Sequence, residues 1–389
     1  MADVSIKNQA LGGLKWTTIS AIFSTSSSIV RISLLTRLLE TSDFGLMALV
    51  LFVLSFATLF SDLGLSAAIF HKQNTTKNEY ASLYWFSIFL SLVLFGIIVL
   101  IAPFISLLYE ENELIKLISI MGFSLVITAI GKQFQIREQK KLNFKLLAII
   151  EILSATLSLI CAISFAVVGF GVFALVYSAL IGAAFGSLSF LVIGLKNDDF
   201  KFHFFYKDVI PFLKIGFYNT GGQILNYFNK EVDILIVGRF FSLETLGMYS
   251  LAKQLVYRPV GIINPILTKV SVPVFAKIQV DRNYLKKSYL ALINIISSIN
   301  LPIYLMIILL ADPIVRVLYG SNYEDIVPVV RILSIYMIFI MWRNPMGTIT
   351  IASGRTDLEF YWSFCTFLIL PLAVYLAAHL NIKMVATSM

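Results

Sequence analysis

Charge is what this 389-residue chain has least of, with Asp, Glu, Lys and Arg making up only 13%, about half the ~25% usual in soluble domains. Hydrophobic residues account for 58% and the mean hydropathy is +0.87. No soluble protein of this length has an interior that could hide so much apolar surface, which leaves an integral membrane protein. Cysteine is nearly absent as well. Cys161 and Cys365 both fall in apolar runs, which argues against a disulfide framework or a thiolate metal site. Three histidines, His71, His203 and His379, are scattered, and neither a pair of catalytic carboxylates nor a nucleotide-binding glycine loop is present. The expectation is a protein with no catalytic residue, no metal and no cofactor. The first ten residues are polar and carry no cleavable signal pattern, so the first apolar run would serve as a signal anchor.

What the chain has in abundance is apolar stretches long enough to cross a hydrocarbon core of ~30 Å. They lie near 13–37, 44–69, 81–108, 114–134, 146–169 and 171–195, then near 211–237, 243–266, 287–310, 326–350 and 357–379. Aromatic residues make up 14%, with 32 Phe and 17 Tyr, as suits a chain that meets lipid and its interfaces. Between the sixth and seventh stretches comes the one long polar segment, "LKNDDFKFHFFYKDVIP" at 195–211. The fold class expected is an all-α integral membrane protein. Residues 1–195 would form an N-terminal lobe of helices 1–6 and 196–210 a cytoplasmic linker. Residues 211–389 would form a C-terminal lobe of helices 7–11 with a stub of helix 12.

Lysine and arginine set the orientation. With the N-terminus in the cytoplasm, the cytoplasmic segments 1–15, 71–80, 132–145, 196–214, 269–287 and 343–357 hold 20 of the 30 Lys and Arg. The opposite side holds Arg37, Lys116, Arg239, Arg316, Arg331 and Lys383, and four more lie inside spans. The net charge of +8 therefore records topology, and nucleic acid is not expected as a partner.

The chain also repeats itself. "TRLLETSDFGLMALV" at 36–50 aligns with "GRFFSLETLGMYSLA" at 238–252, so that Arg37 meets Arg239, Gly45 meets Gly247 and Leu49 meets Leu251. Further on, "APFISLLYEEN" at 102–112 aligns with "DPIVRVLYGSN" at 312–322, matching Pro103, Leu108, Tyr109 and Asn112 to Pro313, Leu318, Tyr319 and Asn322. Six helices separate the copies, so both start on the same side of the membrane. That is a parallel repeat about an axis along the membrane normal, with a shared site expected between the halves.

Polar side chains point to that site. In the first span Thr17, Ser24, Ser28 and Arg31 fall on one face. Their repeat partners at an offset of 202 are Asn219, Asn226, Lys230 and Asp233, and Gln223 continues that stripe. A polar stripe inside a bilayer must face protein or water. The hydroxyls would serve equally in bonds between packed helices, whereas Arg31, Lys230 and Asp233 need partners. The eighth span adds Lys253 and Arg258, the latter before Pro259 in "LVYRPVGIINP", where a kink is expected. Asp62 and Glu151 fit structural pairing, capping or ion coupling. Cations near a membrane cleft suit a phosphate or sugar-acid group.

With these motifs on the page, "RLLETSDFGLMALV", "SDLGLSAAIF", "NYFNKEVDILIVGRFFSLETLGMYSLA" and "YRP" resemble the polysaccharide-transport flippases of the multidrug/oligosaccharidyl-lipid/polysaccharide exporter superfamily, the Wzx-type O-antigen and exopolysaccharide exporters. The resemblance implies two six-helix lobes in a V and a bacterial inner-membrane protein. Its substrate would be an undecaprenyl-diphosphate-linked oligosaccharide for lipopolysaccharide or exopolysaccharide synthesis, flipped by alternating access. Coupling to H+ or Na+ and association with a polysaccharide polymerase also belong to that picture. The substrate-cavity residues would be Arg31, Asn219, Gln223, Asn226, Lys230, Asp233, Lys253 and Arg258. Two other readings stand beside it: a drug/cation antiporter of the same superfamily, and a membrane polymerase or ligase of the same pathway. The antiporter would be expected to show an acidic cavity, and the polymerase or ligase a large outer loop. Carrying the repeat forward places the start of a twelfth helix near 381–383, so 381–389 is expected as a short stub.

Overall fold

The computed structural model describes residues 2–72, 75–196, 202–278, 281–352 and 356–388. Its helices are α1 (Ala2–Leu35), α2 (Thr41–Asp62), α3 (Leu65–His71), α4 (Lys77–Tyr109), α5 (Glu113–Lys140), α6 (Phe144–Val167), α7 (Phe173–Lys196), α8 (Tyr206–Phe240), α9 (Leu243–Ile278), α10 (Arg282–Leu309), α11 (Ala311–Tyr319), α12 (Val327–Ala352), α13 (Thr356–Ala378) and α14 (Ile382–Ser388). No strand occurs among the described residues. In hydrocarbon a backbone must satisfy its own polar groups, and a helix does so within one segment. Eleven of these helices, all except α3, α11 and α14, have 22 residues or more and correspond to the eleven expected spans.

Nine of the eleven contain described stretches long and apolar enough to cross a membrane. The two outside that set are α8 and α9, the helices that carry Lys230, Glu231, Asp233, Lys253 and Arg258. Residues 382–388 form the seven-residue α14.

The helix boundaries differ from the apolar runs in instructive ways. The run 44–69 is two helices, because Leu63 (φ 42°) and Gly64 (φ 68°) are both left-handed and no helix passes through that conformation. Asp62 closes the break by accepting from the Ser66 amide at 3.3 Å and from the Ser66 hydroxyl. At the other extreme, α5 and α9 continue to Lys140 and Ile278, well beyond their apolar stretches. Hydropathy marks the extent of lipid contact, whereas a helix ends where its hydrogen-bond ladder ends. α9 runs on through Pro259, the residue at which a kink is expected. The start of α4 is fixed by a capping box: the Glu79 amide donates to Thr76 Oγ1 at 3.2 Å, and the Thr76 amide donates to Glu79 Oε2 at 2.8 Å.

The chain divides into two compact units. The first comprises Met1–Glu40 and Leu49–Ile224, the second Thr41–Ala48 and Leu225–Met389. In the first, α5 packs on α4 and α7, and α6 packs on α1 and α7. The α5–α7 contact depends on small residues that let backbones approach: a Cβ on Gly131 would lie 2.5 Å from the Ser187 Cα. The start of α8 is anchored here, with Val209 and Phe212 buried against Leu65, Ile69, Leu83 and Ile136. Asp208 accepts from Ser82 Oγ at 2.8 Å. In the second unit α12 packs on α9 and α10, and Phe275, Leu292, Ile296 and Met341 form a core there. Tyrosine hydroxyls tie this unit to α9, Tyr304 donating to the Val256 carbonyl and Tyr319 to the Leu251 carbonyl, each at 3.1 Å.

Candidate functional site

The densest charge cluster inside the second unit joins α8 to α9. Asp233 is completely buried. Its Oδ1 accepts from Lys253 Nζ at 2.7 Å and its Oδ2 from Tyr249 Oη at 2.6 Å. Tyr249 and Lys253 are four residues apart, which puts both on one face of α9. The Lys253 ammonium also donates to Glu231 Oε2 at 3.1 Å and to the Lys230 carbonyl at 2.5 Å. An ammonium has three donors, and all three are spent. Lys230 turns outward, its side chain 59% exposed, with Nζ 3.6 Å from Glu231 Oε1. Both ammonium groups lie over the Tyr257 ring, at 5.7 Å and 5.5 Å from its centroid, a cation–π arrangement.

Two ammonium and two carboxylate groups therefore balance each other when ionised. That balance makes the burial tolerable, since a charge removed from water without a partner is very costly. Both Asp233 oxygens accept hydrogen bonds from within the protein. Lys230 is the most exposed member of the cluster, and Glu231 is partly exposed beside it.

The remaining candidates are spread over other helices. On α8, Asn226 Oδ1 lies 3.5 Å from Ser363 Oγ, and Asn229 Nδ2 donates to the Ser363 carbonyl at 2.9 Å, tying α8 to α13. Gln223 is exposed on α8, and the side chain of Asn219 lies outside the described residues. Arg258 is half-buried on α9, five residues beyond Lys253. In the first unit Arg31 Nη1 donates to Ser158 Oγ at 3.2 Å, and Ser24 Oγ donates to Glu151 Oε1 at 3.3 Å. Both contacts join α1 to α6. Asp62 caps α3 as described above.

The structure thus brings Lys230, Asp233 and Lys253 together, with Glu231 and Tyr249 completing the group. Tyr249 was not a sequence candidate, although its spacing from Lys253 was a usable signal. Arg31 and Glu151 line the α1–α6 contact.

The architecture is that of two kinds of solved membrane protein. It resembles the lipid II flippase MurJ in an inward closed conformation with a TM-score of 0.75 at 17% identity, over 95% of this chain and 83% of that one. It resembles an inward-facing multidrug resistance MATE family transporter of the MOP superfamily with a TM-score of 0.71 at 16% identity, over 94% and 90%. At such identity the likeness defines the fold class alone.

Sequence similarity is more specific. Residues 34–328 match the family described as polysaccharide biosynthesis protein. The chain is 30% identical over 379 residues to the teichuronic acid biosynthesis protein TuaB of Bacillus subtilis (strain 168), covering 96% of this chain and 77% of that protein. It is 28% identical over 376 residues to the lipopolysaccharide biosynthesis protein WzxC of Escherichia coli (strain K12), covering 95% and 76%. The chain belongs to the polysaccharide biosynthesis protein family.

Proposed function

We propose that this protein flips an oligosaccharide carried on undecaprenyl diphosphate from the cytoplasmic to the outer leaflet of a bacterial inner membrane, for polysaccharide assembly. The observation that carries the reading is membership of the family across 34–328, with relatives named for teichuronic acid and lipopolysaccharide biosynthesis. The physical demand on such a protein is particular. The sugar and diphosphate cannot cross hydrocarbon, while the polyprenyl tail never has to leave it. A polar passage open sideways to lipid meets both conditions. Residues 1–195 and 211–389 act as the two lobes that rock about the repeat axis. The N-terminus is cytoplasmic.

The passage is lined by Arg31, Asn219, Gln223, Asn226, Lys230 and Arg258, whose cations neutralise the diphosphate. Asp233 and Lys253 hold α8 and α9 in register and present Lys230. Coupling to H+ or Na+, with Asp62 and Glu151 as candidates, and docking to a polysaccharide polymerase complete the proposal. No bond is made or broken in this cycle, so the protein acts as a transporter and no catalytic residue is required.

A drug/cation antiporter is the second reading, since the fold is shared with MATE transporters. The buried carboxylate argues against it: Asp233 has no exposure and is already paired with Lys253 and Tyr249 inside the protein. The test is genetic. Cells lacking the protein should accumulate lipid-linked oligosaccharide facing the cytoplasm, and the wild-type gene should restore export. Unchanged export with altered drug sensitivity would favour the antiporter.

A further inference from the structure

The two copies of the repeat touch each other at their own glycines. A Cβ built on Gly45 would overlap the Leu243 carbonyl oxygen and lie 2.9 Å from the carbonyl carbon. A Cβ built on Gly247 would overlap the Thr41 carbonyl oxygen and lie 3.0 Å from the Gly45 amide nitrogen. The geometry is reciprocal. Thr41 and Leu243 are repeat partners (243 − 41 = 202), and so are Gly45 and Gly247 (247 − 45 = 202). Each glycine sits four residues after the carbonyl that its partner helix presses on. This is a self-complementary contact of the kind a twofold axis generates, formed here inside one chain.

The contact has the chemistry of a reversible closure. Backbone meets backbone with no side chain interleaved, so the attraction comes from close packing and weak Cα–H···O contacts. Phe44, Leu46 and Met47 are buried on one side and Leu246, Tyr249 and Leu251 on the other, so the crossing is dry. Tyr323, itself buried, is hydrogen-bonded to the Thr41 side chain and braces the start of α2. The division of the chain makes α2 unusual: Thr41–Ala48 belong to the second unit, while the helix continues from Leu49 in the first. One helix is therefore held at its first turns by one unit and along the rest by the other.

We propose that the Gly45–Gly247 crossing is the outer gate of the transport cycle, closed in this structure, and that α2 and α9 must part there for the sugar to leave. The placement at the outer end follows from lysine and arginine counting, and the role rests on the flippase reading. A bulky headgroup has no exit past two backbones in van der Waals contact. Glycine at both positions allows the seal to be complete, and any side chain at either would wedge it.

The experiment uses the full chain with Cys161 and Cys365 replaced by serine, with a single reporter cysteine at Asn226 or Lys230 for labelling and no reporter where export is read. Gly45→Ala and Gly247→Ala should each raise reporter labelling by an impermeant maleimide added from outside, and should reduce export. In the chain without a reporter, cysteines replacing Ser42 and Glu244 and joined by a short bismaleimide should stop export. The labelling is independent of any substrate, so a chain that flips something else would still show it. If the unsubstituted chain exports no sugar while labelling responds as described, the flippase reading fails and the gate stands. Labelling that stays at the wild-type level in both alanine variants, with protein folded in the membrane, would overturn the gate. Should the alanine variants fail to fold, the bridged pair decides alone, and full export with the bridge in place would overturn it.

Discussion

Lys253 decides more about this protein than any other single side chain. It is buried, spends every donor, and neutralises a carboxylate with no exposure at all. Removing it leaves Asp233 as an uncompensated buried charge, so Lys253→Met should cost about 3–5 kcal/mol of stability. Thermal unfolding in detergent would measure this. Lys253→Met combined with Asp233→Leu should recover most of the loss, because two apolar residues replace an ion pair. Equal instability of the single and double variants would show that the pair is not the source. Tyr249→Phe should cost less, roughly 1.5–3 kcal/mol for a hydrogen bond to a charged group. Arg31, which donates to the Ser158 hydroxyl, belongs to the proposed passage. Arg31→Ala should leave the fold intact and reduce export.

At the scale of the element, the number of long helices was readable from hydropathy because the bilayer imposes a minimum apolar length on each. Their ends were less so. Nothing apolar distinguishes "SDLGLSAAIF" from the span before it, yet two left-handed residues part α2 from α3 there. The legible clue was local chemistry: Asp62 four residues ahead of Ser66, with a glycine between. Two glycines make this testable with opposite signs. Gly64 has φ 68°, so Gly64→Ala should destabilise by about 1–2 kcal/mol. Gly96 lies inside α4 with nothing within 4 Å of an added Cβ, so Gly96→Ala should stabilise by roughly 0.5–1 kcal/mol. Thermal unfolding of both variants would check the signs. The candidate site was legible only as a set of charged residues. That Lys253 chooses Asp233 and Glu231 depends on how α8 packs on α9, and no pattern along one chain carries that information.

For the whole molecule, the repeat was the most informative signal in the sequence, and the reciprocal glycine contact is its physical expression. Topology follows from charge and can be checked directly. Cysteines placed within 132–145 or 269–287 should react only from the cytoplasm, and those within 110–113 or 320–323 only from outside. Reversed labelling would invert the direction of transport and move the glycine crossing to the inner face.

The central claim is that the chain carries lipid-linked sugar across a bilayer without chemistry. The most direct measurement places purified protein in liposomes loaded with undecaprenyl-diphosphate-linked oligosaccharide, with an impermeant glycosidase outside to report which leaflet holds the sugar. The account predicts that wild-type protein makes the inner-leaflet pool accessible, intact in composition, and that Arg31→Ala with Arg258→Ala slows this while the protein remains folded. An inner pool that stays protected under wild-type protein, with or without an H+ or Na+ gradient, would contradict it.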